Sequence, residues 1–214
     1  MNLQQKYWNS VAETKNFPTP FQIDIFSDYV GKNKKILDVG CGYGRVLNEL
    51  YQAGFKELYG VDFSSGMIAR GKRLYPELNL VVNEDGKLPF DNNSFDAVLL
   101  IAVLTCMAEG SDQQRLMREI IRVLKPGGIL YINDYLLNSD DRNIKRYEEF
   151  SEKYGTYGVF ELPEGAVVRH HTRDYLGDLL KDFEEIVFEE VMYTTMNGNT
   201  SNGCYFMGKL NRIK

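Results

Sequence analysis

The sequence predicts a doubly wound α/β domain built on a mostly parallel sheet. Three observations carry that expectation. Short apolar runs of strand character alternate with amphipathic helical segments along most of the chain. The first of those runs ends in an acid and enters a turn with three glycines at alternate positions, Gly40, Gly42 and Gly44. At 214 residues, 43% of them hydrophobic and 26% charged, the chain can fill one good core and is short for two ordinary domains.

Residues 1–20 hold Tyr7, Trp8, Phe17, Pro18 and Pro20, ahead of a helical stretch over 21–30. The first strand is expected at 35–38 and the first helix at 45–54. Glycines suit the turn between them because they tolerate positive φ and let a ligand approach the backbone without a Cβ in the way. A second strand over 57–62 ends in Asp62, and a helix over 64–75 follows, with Ser64 or Ser65 able to cap it and Pro76 to stop it. A third strand, 78–83, runs into Glu84 and Asp85. The most apolar strand, 95–101, is expected at the centre of a sheet covered on both faces.

Helical spacing of Leu116, Ile120, Ile121 and Leu124 predicts an amphipathic helix over 112–125, and Pro126-Gly127-Gly128 turns the chain into a fifth strand at 129–135. Beyond Tyr135 the alternation changes. Residues 143–154 read as a polar helix, 157–172 as a hairpin around Pro163-Glu164-Gly165, and 174–183 as a helix. Strands follow at 185–194 and 204–210, pairing through the 197–203 connection.

The glycine spacing is G-x-G-x-G, whereas a dinucleotide fingerprint is G-x-G-x-x-G and seats a pyrophosphate at a helix N-terminus. Two unit charges about 4 Å apart interact by roughly 4 kcal/mol at an effective dielectric of 20, so an anion beside Asp38 is penalised and a cation favoured. Asp62, about 20 residues after the glycines, stands where a carboxylate holds a ribose diol.

On these residues the chain resembles the class I S-adenosylmethionine (SAM)-dependent methyltransferases, in the group with the ubiquinone and menaquinone C-methyltransferases and many small-molecule enzymes. ILDVGCGYGRVL matches the first family motif and YGVDFSSGMI the second. NEDGKLPFDNNSFDAVLL and REIIRVLKPGGILYINDY match the third motif and the helix and strand after it. The resemblance covers 7–135 and weakens beyond. It implies a Rossmann-like, seven-stranded, mostly parallel sheet with an antiparallel last strand, and a single domain over 1–214. Its cofactor would be SAM, held by Asp38, Gly40, Cys41, Gly42 and Gly44 at the first strand and by Asp62 and Phe63 at the second. Glu84, Asp85 and Gly86 would meet the adenine, with either Glu84 or Asp85 accepting from its amino group, and Ile101 would close the set.

The resemblance also makes 1–30 a cover over the cofactor; a helix capping the core through Trp8 is the alternative. Residues 136–172 are an insertion after the fifth strand, read as a substrate cover or else as a dimerisation arm or plain lid. Its Tyr147, Tyr154 and Tyr157 offer an apolar wall, and Arg169, His170 and Arg173 could meet an anionic or phenolic acceptor. No Leu-His-His sequence follows the fourth strand, where Leu104-Thr105-Cys106 stands instead, so no general base carries over. The candidates left are Tyr135, His170 and His171. Adjacent histidines on a strand face opposite sides, so they cannot both serve one site without a bend. Cys106 reads as a small core residue or a reactive thiol.

A net charge of −5 without a basic cluster disfavours nucleic acid, leaving a small-molecule methyl acceptor. Cys41, Cys106 and Cys204 lack metal-ligand spacing and suit free thiols, which with the absence of a long apolar run points to a cytoplasmic protein, monomer or homodimer, binding no metal. Two other readings stand beside the methyltransferase: a SAM-binding protein without catalysis, and an NAD(P)-dependent oxidoreductase on a similar sheet.

Overall fold

The structure, a computed structural model, describes residues 3–211. Helices α1 (Leu3–Ser10) and α2 (Ile23–Tyr29) precede strand β1 (Lys35–Val39). Then come α3 (Arg45–Gln52), β2 (Glu57–Asp62), α4 (Ser65–Leu74), β3 (Asn79–Val82) and β4 (Phe95–Ile101). A single 3₁₀ turn, Leu104–Cys106, leads to α5 (Gly110–Val123) and β5 (Leu124–Tyr135). The rest is α6 (Asp141–Tyr154), β6 (Val159–Glu161), β7 (Val167–Arg169), α7 (Arg173–Leu179), β8 (Phe183–Thr194) and β9 (Thr200–Leu210).

Seven strands form one sheet in the order β3-β2-β1-β4-β5-β9-β8, and β6 pairs with β7 apart from it. The chain winds outward from β1 through β2 to β3, then returns to start again at β4. The gap between the carboxyl ends of β1 and β4 is therefore the switch point at which such sheets bind ligands. β1 to β5 are parallel, and β9 is antiparallel to both of its neighbours.

The predicted antiparallel strand thus exists, but it lies inside the sheet, with β8 at the edge. The side chains explain the placement. β9 is largely buried, whereas β8 carries Glu184, Glu185, Glu189 and Glu190 along a mostly exposed strand, charges that an edge tolerates and an interior strand does not.

Alternation along the strands divides the core in two. Leu37, Val98, Leu100, Leu130 and Ile132 pack on one face against Met117, Ile120 and Val123 of α5 and Leu176 of α7. Their neighbours Ile36, Ala97, Leu99, Ile129 and Tyr131 pack on the other against Phe26, Leu47, Leu50 and Ile68. Burial on both faces is what fixes the register, because a one-residue slip would exchange the two sets.

Several boundaries differ from expectation: α7 ends at Leu179 rather than at 183, and β9 begins at Thr200 rather than at 204, which leaves residues 195–199 as the connection to β8. α5 stops at Val123, and β5 begins at Leu124 and absorbs Pro126-Gly127-Gly128 as an irregularity; Phe95 pairs with Leu124 and Ala97 with Ile129. Gly127 at φ +77 accommodates that shift. At the other end, residues 3–10 form a helix whose Tyr7 and Trp8 pack with Tyr43 and Met67.

Candidate active site

At the switch point lies a cavity of about 190 Å³, far larger than the space of one water. Its first wall is the turn after β1. Gly40 and Gly42 have φ of +73 and +56, and a Cβ on either would stand 2.6 Å from Val103 or Phe17. Glycine is required there both for the backbone angle and for the contact. Gly44 serves differently: at φ +84 it caps α3 and backs onto Leu78 and Leu80, outside the cavity wall.

Asp62 braces this turn. Its Oδ2 accepts the Gly42 N–H at 2.8 Å and its Oδ1 the Ser64 N–H at 2.8 Å, while the Ser64 hydroxyl caps α4 by accepting from Met67. A carboxylate has about four acceptor sites, so capacity remains for a ligand. Burial pushes the Asp62 carboxyl up to about 6, against the pull of the N–H groups of Ser64, Gly42 and Phe63.

Asp38 is 2% exposed, and its Oδ1 has no hydrogen-bond partner among the described residues. Burial pushes its carboxyl up to about 8, opposed by the Arg45 guanidinium and reinforced by Asp62. An orphaned buried acceptor of this kind is costly unless a ligand satisfies it.

The cavity continues over Ile101, Ala102, Val103, Thr105 and Cys106. Ala102 adopts φ +55, an uncommon angle for a residue with a side chain, and its N–H is tied to Asn133 O at 2.7 Å. Asp134 fixes the following turn by accepting from Thr105 N–H at 3.2 Å. Burial raises the Cys106 thiol strongly, with Asp134 and Asp62 adding to the rise, which disfavours the thiolate.

The far wall comes from the insertion and from the β8–β9 turn. Arg142 and Arg146 of α6 face Phe160, Leu162, Ala166, Val168 and His170, and Thr195 to Asn199 close the rim. Trp8, Phe17, Pro18 and Thr19 lie over the cofactor side. Glu164 ties the covers together, pairing with Lys15 at 3.3 Å and accepting from Asn197 at 3.1 Å.

The two histidines do part company. His170 lines the cavity, its ring stacked on Tyr135 at 5.6 Å, whereas His171 is 1% exposed and outside it. His171 Nδ1–H donates to Tyr135 O at 3.3 Å, and its Nε2 accepts from Gln113 at 3.0 Å. Burial, with Arg169 beside it, lowers its pKa to about 3. Burial also raises Asp134 to about 7, so their 3.6 Å approach is not an ion pair. His171 therefore leaves the list of candidates, with Tyr135 and His170 remaining.

Other expected residues lie off the cavity. Glu84, Asp85 and Gly86 are exposed in the loop after β3, where Glu84 accepts from Gln5 of α1 at 2.7 Å. Arg169 donates to Ala108 O and covers the Tyr175 ring; Arg173 covers Phe188 near Glu190. Tyr147 is buried behind His170, Tyr154 donates to Glu161, and Tyr157 is exposed. Arg142, Arg146 and the 195–199 turn were not singled out by the sequence, since a polar helix and a polar turn look alike whether they face a cavity or water.

Comparison with known proteins agrees with the geometry. A family profile described as a methyltransferase domain matches residues 37–132, which span β1 to β5. A demethylmenaquinone methyltransferase of Beutenbergia cavernae is 30% identical over 155 residues, 71% of this chain and 60% of that protein. A cycloartenol-C-24-methyltransferase of Arabidopsis thaliana is 40% identical over 100 residues, 44% of this chain and 29% of that one. The chain thus spans 60% or less of these curated relatives. A crystal structure of a SAM-dependent methyltransferase from Methanosarcina mazei superposes with a TM-score of 0.84 at 26% identity, covering 88% of this chain and 98% of that one.

Glycine turn, paired acids and seven-stranded sheet together define a SAM-binding α/β domain. The chain carries a methyltransferase domain over residues 37–132 and shares its fold with a SAM-dependent methyltransferase of known structure, which makes SAM its cofactor.

Proposed function

We propose that the protein transfers the methyl group of SAM to a small-molecule acceptor. The observation that carries this reading is the buried Asp38 Oδ1 without a partner, open to the same cavity as Arg146 and His170. A cationic amino group beside Asp38 satisfies it, and Asp62 has acceptor sites free for a diol. A pyrophosphate at the same turn would be repelled, which opposes the nicotinamide oxidoreductase.

When bound, SAM supplies an electrophilic methyl on a sulfonium. The chain's own residues bind, orient and enclose. Asp38 takes the ammonium, Asp62 the ribose hydroxyls, Gly40 and Gly42 the close backbone approach, and Glu84 or Asp85 the adenine amino group. Residues 1–30 cover the cofactor and 136–172 the acceptor, which the walls of the cavity support. Tyr135 and His170 orient the acceptor from its floor. Among the described residues no helix is long and apolar enough to cross a membrane. The free thiols Cys41, Cys106 and Cys204 suit a reducing, cytoplasmic setting.

Calorimetry with S-adenosylhomocysteine (SAH), SAM and NAD tests the cofactor, and labelled methyl transfer from SAM into a fractionated metabolite pool tests the activity. Tight SAH binding without any labelled product would leave a SAM-binding protein; tight NAD binding in its place would overturn the reading.

A further inference from the structure

We propose that the methyl acceptor is an oxyanion, a small molecule with an apolar body and one deprotonated oxygen, seated between Arg146 and the His170 Nε2–H. This rests on the methyltransferase reading and names the substrate class for that site.

Charge along the cavity is the first ground. Its carboxylates, Asp38 and Asp62, stand at the cofactor end. The acceptor end holds two guanidiniums and no carboxylate. Arg142 is mostly exposed and lies 3.7 Å from Asp140, a loose pair. Arg146 is different. It lies with its guanidinium carbon 3.6 Å from the Phe160 ring centroid, hydrogen-bonds the neutral Asn143 amide, and has no carboxylate in ion-pair range among the described residues. Its Nε is buried without a partner among the described residues. A half-buried guanidinium lacking a counter-ion, in a cavity wall, is a ready oxyanion partner.

The hydrogen-bond network of His170 is the second. Asn138 Oδ1 accepts the Asn202 N–H at 2.8 Å, and its Nδ2 donates to Ser201 Oγ at 2.9 Å and Leu136 O at 3.1 Å, while the Asn138 backbone N–H donates to the Tyr147 hydroxyl oxygen at 3.3 Å. The Tyr147 hydroxyl lies 2.6 Å from His170 Nδ1. With its oxygen accepting from Asn138, the Tyr147 hydroxyl gives its own hydrogen to Nδ1, which is assigned as an acceptor, so the proton of the neutral ring is on Nε2. Nε2 has no partner among the described residues, and His170 lines the cavity. In this tautomer His170 is a donor and cannot serve as a base.

The two grounds meet in the chemistry. The acceptor oxygen forms a C–O bond to the methyl as the C–S bond breaks, leaving a neutral ester or ether beside a neutral thioether. No proton has to leave, so no base is required. Phe160, Leu162, Val168 and Met196 give the apolar body its wall. A cationic acceptor would meet two arginines, and a neutral amine would become a cationic ammonium beside them on methylation.

The full chain, saturated with SAH, is titrated by calorimetry with octanoate, octanamide and octylamine, and in a second arm with 4-nitrophenolate and nitrobenzene. The expected result is at least about tenfold tighter binding of an anion than of its neutral analogue, with the two arms separating carboxylate from phenolate. In Arg142→Gln/Arg146→Gln that preference falls to less than about twofold while SAH affinity stays unchanged, which also shows that the variant is folded. Equal binding of anion and neutral analogue to the SAH-loaded protein, tighter binding of octylamine, or no binding of either anion overturns the proposal. If SAH itself fails to bind the parent protein, the methyltransferase reading falls and this inference with it.

Discussion

Asp62 Oδ2 accepts the Gly42 N–H at 2.8 Å, so the carboxylate at the end of β2 holds the glycine turn at the end of β1. One side chain thus shapes the loop and has acceptor capacity left for the cofactor. Asp62→Ala should lower SAH affinity at least about tenfold, since two ligand hydrogen bonds of roughly 0.5 to 1.5 kcal/mol each are lost as well as the brace. Asp62→Asn keeps one acceptor oxygen and should lie between the two; calorimetry ranks the three proteins.

Asp38 gives the ligand-free protein a pH dependence. Burial raises its carboxyl to about 8 from an unfolded value near 3.8, with Asp134 at about 7 and Asp62 at about 6. Above about pH 6.5, where the buried histidines are neutral in both states, the folded state binds more protons than the unfolded one through these carboxyls, so stability falls as pH rises from about 6.5 to about 8. SAH affinity should rise over the upper part of the same range, as Asp38 ionises to meet the ammonium. Asp38→Asn should flatten both curves, measured by thermal melts and calorimetry from pH 5 to 8.5. An SAH affinity that is flat with pH in the parent protein would remove Asp38 from ammonium binding.

Gly42→Ala should cost on the order of 1 to 3 kcal/mol from the left-handed backbone alone. Its Cβ would also displace the Phe17 ring, 2.6 Å away. The melting temperature and SAH affinity should both drop. Gly177→Ala, a helical site where a Cβ meets nothing within 4 Å, is the control and should leave SAH affinity unchanged while the melting temperature holds or rises.

His170 and His171 should separate cleanly in activity. His170→Gln retains a donor near the Nε2 position and should keep much of the turnover that His170→Phe loses, with no limb near pH 6.5 in the parent rate profile. His171→Ala leaves Gln113 without its imidazole partner and should destabilise by about 1 to 3 kcal/mol while SAH affinity holds. A rate profile with a clear limb near pH 6.5 that vanishes in His170→Gln would make His170 a base after all.

Strands β1, β2, β4 and β5 could be read from the sequence because they are buried on both faces, and runs such as Ala97 to Leu100 survive no other interpretation. Asp38, Gly40, Gly42 and Asp62 were legible for another reason: their backbone angles and charges are set locally, within a few residues of the turn. The acceptor wall was not. Arg146 reaches the cavity because α6 packs on β6, where it covers the Phe160 ring, and Arg169 does not because its neighbours Val168 and His170 take the cavity side. Facing is decided by tertiary packing, which a polar segment with weak periodicity does not record. The inward place of β9 was hidden similarly, since strand order depends on which neighbour covers which edge.

The β8–β9 hairpin has a consequence for how such a protein diversifies. Its register runs unbroken from Val187–Met207 to Thr194–Thr200, so the sheet is pinned well below the turn, while Thr195 to Asn199 reach over the cavity. Together with α6 and the β6–β7 pair, that turn forms a rim assembled after Tyr135, whereas Asp38, the glycines and Asp62 all lie before Phe63. On the proposed reading, the residues assigned to the donor and those assigned to the acceptor lie in consecutive blocks of the chain. Recombination at a single point near Leu136 could exchange one partner's chemistry while inheriting the other intact.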